Sequence, residues 1–335
     1  MSPSARQAPD LMTLLRGVSR SFYLSIRLLP DGLARPIAVA YLLARATDTV
    51  ADTAELPAQQ RLAMLQALAG VIDDRAPRAG LDALILAFAP LQQDVAERQL
   101  VEALPLCMAW LAGLDAADQA DVRTVLRHIT RGQSLDVQRF GQASGVNALP
   151  SAADLDEYTW LVAGSVGEFW TDLCARHLPG FARLPLSTMR ELGRAYGMGL
   201  QLVNILRDTG ADLAQGRCYF PADELAAAGL RPEGIAGDPG HFAAVRGPWL
   251  AKARGGLAAG MRYADAVNSR RVRAGTALPA LLGARTLALV EASGEQGLRG
   301  KVKVPRNEVR SVLARVALTL AGRASLQAQF ARLGK

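Results

Sequence analysis

The sequence predicts an all-α protein. Aromatic residues make up only 5% of its 335 residues, and its long segments are built mainly from Ala, Leu and Arg, which favour helix over strand. Clusters of Gly and Pro separate these segments, in which apolar residues recur at helical spacing. Half of the residues are hydrophobic, so a sizeable core can form. We therefore expect one helical domain over residues 1–335.

Prolines and capping residues predict where individual helices begin. Pro57 is expected to open one helix, and Ser151 or Asp154 to cap a second. Ser187 is expected to cap a long helix that runs towards Asp212. Four Gly- and Pro-rich segments are expected to be loops: 74–80, 141–153, 179–185 and 231–240. A fifth segment, 294–307, is expected to be less regular.

The formal net charge of +7 comes almost entirely from arginine, because lysine occurs only at positions 252, 301, 303 and 335. The planar guanidinium group binds phosphate through two parallel hydrogen bonds, so arginine enrichment favours recognition of a phosphorylated small molecule. The chain has no block of five consecutive basic residues and no nucleic-acid-binding motif. A nucleic-acid partner is therefore not expected.

The cysteines and histidines indicate a protein of the reducing cytoplasm. Three cysteines and three histidines are scattered without a CxxC or HExxH spacing, so neither a disulfide framework nor a zinc site is expected. The amino terminus has no apolar segment typical of a signal peptide, and no stretch is apolar enough to span a membrane. Residues 309–333 are amphipathic and arginine-bearing. They are expected to pack on the core, with peripheral contact to a membrane surface as the alternative.

Two pairs of aspartates carry the strongest chemical signal. Asp48 and Asp52 in DTVAD, and Asp208 and Asp212 in DTGAD, are the Asp pairs in the chain with a spacing of four. On a helix this spacing brings both carboxylates to one face, where like charges repel. Each pair also closes an apolar helix, whose carboxyl end disfavours anions. A positive partner is therefore expected at both pairs.

Mg²⁺ is the cation that suits these pairs, because it takes oxygen ligands from one or two carboxylates together with water and substrate phosphates. Arg45 precedes Asp48 by three residues, and Arg207 directly precedes Asp208. Arg217 and Tyr219 follow the second pair. A diphosphate bridged by Mg²⁺ and held by these side chains would balance the charge at both pairs.

Four glycines lie inside predicted helices and indicate a close approach. They are Gly164, Gly167, Gly197 and Gly199, and each costs about 0.5–1 kcal/mol of helix stability relative to Ala. Two explanations remain open at this point. Either a long hydrocarbon lies between these helices, or the helices themselves pack closely.

Four segments together resemble the squalene and phytoene synthase family of head-to-head prenyl transferases. They are SRSFYLSIRLLP, YLLARATDTVAD, YTWLVAGSVGE and LQLVNILRDTGADLAQGRCYFP, in the family's order. The resemblance covers about residues 14–305, followed by a helical extension at about 306–335. It implies an isoprenoid synthase fold with a central cavity and two facing aspartate motifs that bind magnesium.

The resemblance also implies roles for individual residues. The four aspartates match metal ligands, and the predicted diphosphate contacts are Arg20, Ser21, Arg45, Arg217, Gln201, Asn204 and Tyr219. Tyr158 matches a tyrosine near the centre where a cyclopropane forms, and Tyr41 and Phe22 match aromatic residues that stabilise cations. Arg207 is expected to act in catalysis as well.

The reaction implied by the resemblance joins two farnesyl diphosphates through presqualene diphosphate to squalene, with Mg²⁺ and NADPH. The segment 286–304 is similar to the late segment of squalene synthases, and its Lys301 and Lys303, with Asn204 and Arg207, are predicted cofactor contacts. The alternatives are a phytoene, dehydrosqualene or presqualene diphosphate synthase without a reductive step. A non-catalytic lipid-binding or assembly protein of the same fold is the alternative from another class.

Overall fold

The structure of the chain is a computed structural model that describes residues 10–19, 23, 25–27, 29–53, 55–141, 145–300 and 302–335. The prediction of an all-α fold is confirmed, because about 79% of the chain is helical. Two compact units, Met1–Ser134 and Leu135–Lys335, divide it. The single domain and its central cavity stay predictions. Within the described residues, no helix has the length and apolarity needed to cross a bilayer.

The first unit is built around one long helix, α2. The helices in chain order are α1 (Leu11–Val18), α2 (Asp31–Asp52), α3 (Ala58–Ile72), α4 (Ala79–Phe88), α5 (Val95–Glu102), α6 (Leu104–Ala112) and the first part of α7 (Ala116–Phe140). Helix α2 packs against α1, α3, α5 and α6. Its side chains Leu33, Ile37, Leu43 and Val50 are buried at helical spacing, so one face of α2 forms the core of this unit. As predicted, Pro57 immediately precedes α3.

The second unit is built around the 29-residue helix α10. After the end of α7, its elements are β1 (Asn147–Leu149), α8 (Ala152–Thr159), a π-helical turn (Trp160–Gly164), α9 (Ser165–His177), α10 (Leu186–Ala214), β2 (Arg217–Pro221), α11 (Ala222–Ala227), α12 (Pro239–Ala266), α13 (Arg270–Ser293), a 3₁₀ helix (Gly294–Arg299), α14 (Arg306–Leu318) and α15 (Arg323–Leu333). Helix α10 packs against α9, α12 and α13, with the π-helical turn and the 3₁₀ helix also in contact.

The capping predictions had mixed outcomes in the second unit. Ser151 caps α8 as predicted, because its side chain accepts a hydrogen bond from the Asp154 amide. The prediction of Ser187 as a cap is wrong. Pro185 precedes the first residue of α10, so Ser187 already lies inside the helix. Proline can open a helix without a side-chain cap, because its fixed φ suits the boundary and its missing N–H needs no partner.

The interior glycines are explained by helix packing. A β-carbon on Gly167 would lie 1.9 Å from the carbonyl oxygen of Gly193, and one on Gly197 would lie 2.1 Å from that of Ala163. A β-carbon on Gly199 would lie 2.6 Å from the Cα of Gly256. At Gly164 the nearest atom is the Met198 Cγ, at 2.9 Å. Neighbouring helices therefore occupy the space that the alternative explanation assigned to a hydrocarbon.

We expect Gly167→Ala to destabilise the protein by about 1–3 kcal/mol, because the new methyl group meets backbone atoms that cannot rotate away. Gly255→Ala is the matched control, since a β-carbon there has no heavy atom within 4 Å. The control should be neutral or slightly stabilising, as Ala is the better helix former. Thermal unfolding of both variants measures the difference. Equal melting temperatures would mean that α9 and α10 are not packed this closely.

A short parallel ladder joins two segments that the sequence did not predict as strands. Asn147 pairs with Arg217, and Ala148 with Cys218. Gly216 makes the turn from α10 into β2 with φ +78, and a β-carbon there would lie 2.8 Å from the carbonyl oxygen of Gly145. Only glycine adopts this conformation without strain. The ladder fixes the position of β2 after α10.

The amphipathic carboxyl-terminal segment forms α14 and α15, and both pack on the second unit. Val312 and Val316 of α14 are buried, as is Leu326 of α15. Arg285 of α13 binds Glu308 of α14, with 2.5 Å between Nε and Oε2. The prediction that this segment packs on the core is therefore confirmed for its two helices.

Candidate functional site

The first aspartate pair lies at the carboxyl end of α2, as predicted. Asp48 accepts a hydrogen bond from Arg45, with 2.6 Å between Nη1 and Oδ2. The other terminal nitrogen of Arg45 binds the carboxylate of Glu97 on α5. Asp52 is the last residue of the helix and is exposed. Arg45 is thus shared between two carboxylates, and the sequence did not predict the contribution of Glu97.

The Asp48 carboxyl is in an environment that disfavours its charge. Its side chain remains 40% exposed. Even so, desolvation and the nearby charge of Asp52 raise the pKa of Asp48 to about 6, against the opposing effect of Arg45. Asp48 and Asp52 lie one turn apart, and Arg45 is shared between Asp48 and Glu97. These three carboxylates with one arginine carry excess negative charge. A cation bound at this face would relieve it.

The carboxyl end of α2 is held by a residue that sequence reasoning missed. Arg61 of α3 is buried, and its Nη1 donates to the carbonyl oxygen of Ala51 at 2.8 Å. The Thr53 hydroxyl donates to the Thr49 carbonyl oxygen at 2.8 Å. Both contacts satisfy carbonyls that the last turn of a helix leaves without partners. They fix the backbone beside Asp48 and Asp52, and the local sequence AQQRL around Arg61 gives no signal for such a role.

Tyr41 lies on α2 one turn before Arg45, and burial raises the pKa of its phenol. An unionised phenol that is partly buried is suited to an aromatic wall of a binding site. The other predicted residues of this part of the chain, Arg20, Ser21 and Phe22, lie outside the described residues. Their roles stay predictions.

The second aspartate pair lies near the carboxyl end of α10. Arg207 binds Asp208 through two hydrogen bonds, 2.8 Å from Nε to Oδ1 and 2.5 Å from Nη2 to Oδ2. Asp208 is largely buried, with 17% of its side chain exposed. Asp212 lines a narrow crevice together with Arg217 and Tyr219 of β2. Five predicted site residues of the second unit therefore lie within one short stretch of the chain.

The polar residues of α10 lie one and two turns before the second pair. Asn204 donates to the Gln201 side-chain oxygen at 3.2 Å, which orders both amides on the face that continues to Asp208. Both are partly buried. This arrangement agrees with the predicted grouping of Gln201 and Asn204 with the aspartates, while their ligands stay predictions.

Leu298 and Val302 of the late segment, 286–304, contact α10 at Gly210 and Arg207, on either side of Asp208. A β-carbon on Gly210 would lie 2.5 Å from the carbonyl oxygen of Leu298. The Val302 amide donates to the carbonyl oxygen of Arg207 at 3.3 Å. The exposed Lys303 follows directly, whereas Lys301 lies outside the described residues. Sequence reasoning linked Lys303 to Arg207 as cofactor contacts, and the backbone contact brings their segments together.

A cluster around Asp136 is the main part of the site that sequence reasoning missed. The Tyr219 hydroxyl donates to Asp136 Oδ1 at 2.7 Å, and Arg217 Nη1 lies 3.6 Å from Asp136 Oδ2. Tyr158 stacks on Tyr219 with ring centroids 5.1 Å apart. Burial, with the charge of Asp136 as a smaller cause, raises the pKa of Tyr219 well above its usual value. Asp136 thus contacts Arg217 and Tyr219 directly and is linked to Tyr158 through the Tyr219 ring.

We expect Asp136→Asn to lower turnover about tenfold, because a hydrogen bond to a charged group and the ion pair with Arg217 are weakened together. Asp136→Glu retains the charge and should recover part of the loss. Steady-state kinetics compare the turnover of the variants, and thermal unfolding gives the stability of each variant. A fall in stability without a change in turnover would limit Asp136 to a structural role.

The donor chemistry of both pairs fits Mg²⁺. Among the residues that the structure describes, no group of three or more His, Cys, Asp or Glu side chains could hold a metal ion by itself. Mg²⁺ commonly uses only one or two carboxylates and completes its shell with water and substrate phosphates. Asp48 with Asp52, and Asp208 with Asp212, supply such pairs.

Comparisons with known proteins show which family the chain resembles. The family model described as squalene/phytoene synthase matches residues 15–308. The chain is 29% identical over 243 residues to a squalene synthase of Mycosarcoma maydis, covering 70% of this chain and 40% of that protein. It is also 29% identical over 234 residues to a bifunctional lycopene cyclase/phytoene synthase of Gibberella fujikuroi, covering 68% of this chain and 37% of that protein. The chain spans less than half the length of both relatives.

A solved structure of TcSQS in complex with a ligand has a similar fold. The TM-score is 0.76 at 21% sequence identity, and the match covers 96% of this chain and 90% of that one. At this identity the likeness concerns the fold alone. It extends the all-α architecture over nearly the whole chain.

Proposed function

The chain belongs to the squalene/phytoene synthase family, and we propose that it joins two farnesyl diphosphates head to head and reduces the intermediate to squalene. In the first step, the C1–O bond of one substrate breaks and diphosphate leaves. The second substrate attacks through its double bond, a proton is lost, and presqualene diphosphate forms. In the second step, the remaining diphosphate leaves and NADPH supplies a hydride.

One observation carries the proposal: each aspartate pair closes an apolar helix and has an arginine bound to its first carboxylate. Arg45 contacts Asp48, and Arg207 contacts Asp208. A carboxylate pair alone suits a cation, and an arginine alone suits an anion. The combination suits a metal-bound diphosphate. The metal neutralises the carboxylates, while the guanidinium group releases its carboxylate and binds a phosphate oxygen instead.

Asp48, Asp52, Asp208 and Asp212 are the residues that would hold Mg²⁺. When bound, the ion stabilises the negative charge that develops on the departing diphosphate. Arg45, Arg207 and Arg217 bind and orient the phosphate oxygens. Since a guanidinium stays protonated at every working pH, these residues stabilise charge without giving up a proton.

Tyr158 and Tyr219 form the aromatic part of the site. Their stacked rings present faces that stabilise a carbocation and exclude water from it. Asp136 fixes the Tyr219 hydroxyl and thereby the stacked pair. The proton lost when the cyclopropane closes goes to the released diphosphate, either directly or through the Tyr158 hydroxyl, which passes its own proton to the diphosphate as it accepts the new one.

The reductive step distinguishes squalene synthesis from its alternatives. The contact of the late segment with Arg207 and Gly210 supports a nicotinamide cofactor near the second aspartate pair. Asn204, Arg207 and Lys303 are the proposed contacts, together with Lys301. The alternative function is a phytoene, dehydrosqualene or presqualene diphosphate synthase. The Gibberella fujikuroi relative supports this alternative, because it is named a bifunctional lycopene cyclase/phytoene synthase.

Product analysis tests the proposal directly. Purified protein is incubated with farnesyl diphosphate and Mg²⁺, with and without NADPH, and the lipid extracts are compared. We expect presqualene diphosphate without NADPH and squalene with it. An identical product under both conditions would exclude squalene synthesis, and no condensation at all would favour a non-catalytic protein of this fold.

A further inference from the structure

Three separate segments of the second unit meet to form one basic surface. The Arg183 amide donates to the Ala266 carbonyl oxygen at 2.9 Å, and the Asn268 amide donates to that of Phe181 at 2.8 Å. Arg323 Nε donates to the Asp265 carbonyl oxygen at 2.7 Å. Residues 179–186, 261–273 and 318–327 are therefore neighbours in space, and we call them the arginine-rich surface.

The charge of the arginine-rich surface is strongly unbalanced. Its segments contain six arginines and a single acidic residue, Asp265, which is bound by Arg183 at 2.8 Å. Arg273 is buried and holds the carbonyl oxygens of Val267, Asn268 and Ala321, so it acts as the scaffold. The remaining cations that are exposed and form no ion pair among the described residues are Arg262, Arg270 and Arg271.

Exposed leucines lie on the same segments. Leu318, the last residue of α14, is 82% exposed, and Leu320, in the turn that follows, is 62% exposed. Leu184 and Leu186 are the other exposed large hydrophobic side chains of the second unit's described residues. Leu320 has φ 49, a left-handed conformation that is unfavourable for a residue with a β-carbon. Neither the strained backbone at Leu320 nor the exposure of the two leucines to water stabilises the isolated protein.

A solvent-open pocket of about 480 Å³ lies within the arginine-rich surface. It is lined by Arg183, Leu184, Arg262, Asp265, Ala266 and Gln327. The guanidinium groups of Arg183 and Arg262 are suited to a phosphate, since arginine forms paired hydrogen bonds with it. The pocket wall thus offers cationic and apolar groups side by side.

We propose that the arginine-rich surface docks on an anionic lipid bilayer, with Leu318 and Leu320 inserted and the arginines on the headgroups. A bilayer presents phosphate headgroups above acyl chains, which match this combination of cations and exposed leucines. Nucleic acid also presents phosphates, but it has no acyl chains for the leucines to contact. Helices α14 and α15 bury their apolar faces in the protein, so the turn between them makes the contact. This proposal goes beyond the proposed reaction and does not depend on it.

Flotation of the full chain with lipid vesicles, without substrate, tests the proposal. One vesicle preparation contains phosphatidylcholine only, and the other contains phosphatidylglycerol as well. We expect binding to the anionic vesicles alone. Leu318→Ser with Leu320→Ser should weaken binding about tenfold for each leucine. Arg270→Gln with Arg271→Gln should weaken it about fivefold for each arginine.

Matched controls use exposed residues of the first unit. They are Leu86→Ser, at a leucine that is 80% exposed, and the double variant Arg16→Gln with Arg78→Gln. Equal losses in the control and test variants would overturn the proposal, as would an absence of binding to anionic vesicles. Release by inorganic phosphate at constant ionic strength would overturn it in favour of a phosphate site. Retention of duplex DNA but not vesicles, with sensitivity at Arg270 and Arg271, would favour nucleic acid instead.

Discussion

Asp48→Asn and Asp208→Asn are each expected to lower turnover in the proposed condensation of farnesyl diphosphate at least about 100-fold, the loss that follows removal of one group that stabilises charge in the transition state. Asparagine keeps the shape of the side chain but is a poor ligand for Mg²⁺. In both variants the first carboxylate of a pair becomes neutral while its partner stays charged. The metal-bound diphosphate then loses part of its support.

The same substitutions should change the stability of the folded protein only slightly. Arg45 retains the carboxylate of Glu97 when Asp48 becomes neutral, and the repulsion between Asp48 and Asp52 disappears. Arg207 loses a partner, but 28% of its side chain is exposed to water. We therefore expect an unchanged or higher melting temperature for Asp48→Asn and at most a small decrease for Asp208→Asn.

Kinetics and thermal unfolding on the same protein preparations separate the two effects. Asp82→Asn is a suitable control, because Asp82 is an exposed carboxylate on α4. It should retain full turnover. Near wild-type turnover in Asp48→Asn or Asp208→Asn would refute the assignment of these carboxylates as metal ligands, whatever the product of the enzyme.

The two aspartate motifs could be predicted from sequence because their geometry is local. A spacing of four on a helix fixes both carboxylates on one face, and an arginine three residues earlier falls on that face too. The contact between Arg45 and Asp48 needed only this helical geometry. No knowledge of the tertiary structure was required.

Asp136, Glu97 and Arg61 could not be predicted in this way, because each contacts a residue of another element: Asp136 and Glu97 act across long sequence separations, and Arg61 acts across the turn from α3 back to α2. Asp136 is 83 residues from Tyr219, and Glu97 is 52 residues from Arg45. Helical periodicity relates neighbours within one helix and carries no signal about which helices pack together. The β1–β2 ladder was missed for a related reason, since strands this short show little alternation.

The interior glycines show how composition can leave two explanations equally open. Glycine in a helix indicates that something lies close, but the residue itself does not identify the neighbour. The backbone of Gly193 against Gly167 identifies it here. At Gly210 the neighbour is the late segment.

Gly210→Ala is expected to separate the two steps of the proposed reaction. The new β-carbon would lie 2.5 Å from the Leu298 carbonyl oxygen and 2.8 Å from the Gly300 amide nitrogen. Helix α10 tolerates alanine, so the late segment has to move away. A displacement of about 1 Å costs up to about 100-fold in a step that depends on positioning. We expect presqualene diphosphate to accumulate while squalene formation falls by about that factor.

Lys303→Gln tests the same segment without changing its backbone. If Lys303 binds the cofactor phosphate, this variant should raise the KM for NADPH and leave the rate of the first condensation unchanged. Gly255→Ala, on an open face of α12, controls for the general effect of a new methyl group. A parallel fall of both steps in Gly210→Ala would mean that the late segment supports the aspartate pair rather than the cofactor. Unchanged squalene formation in both Gly210→Ala and Lys303→Gln would remove the late segment from the reductive step altogether.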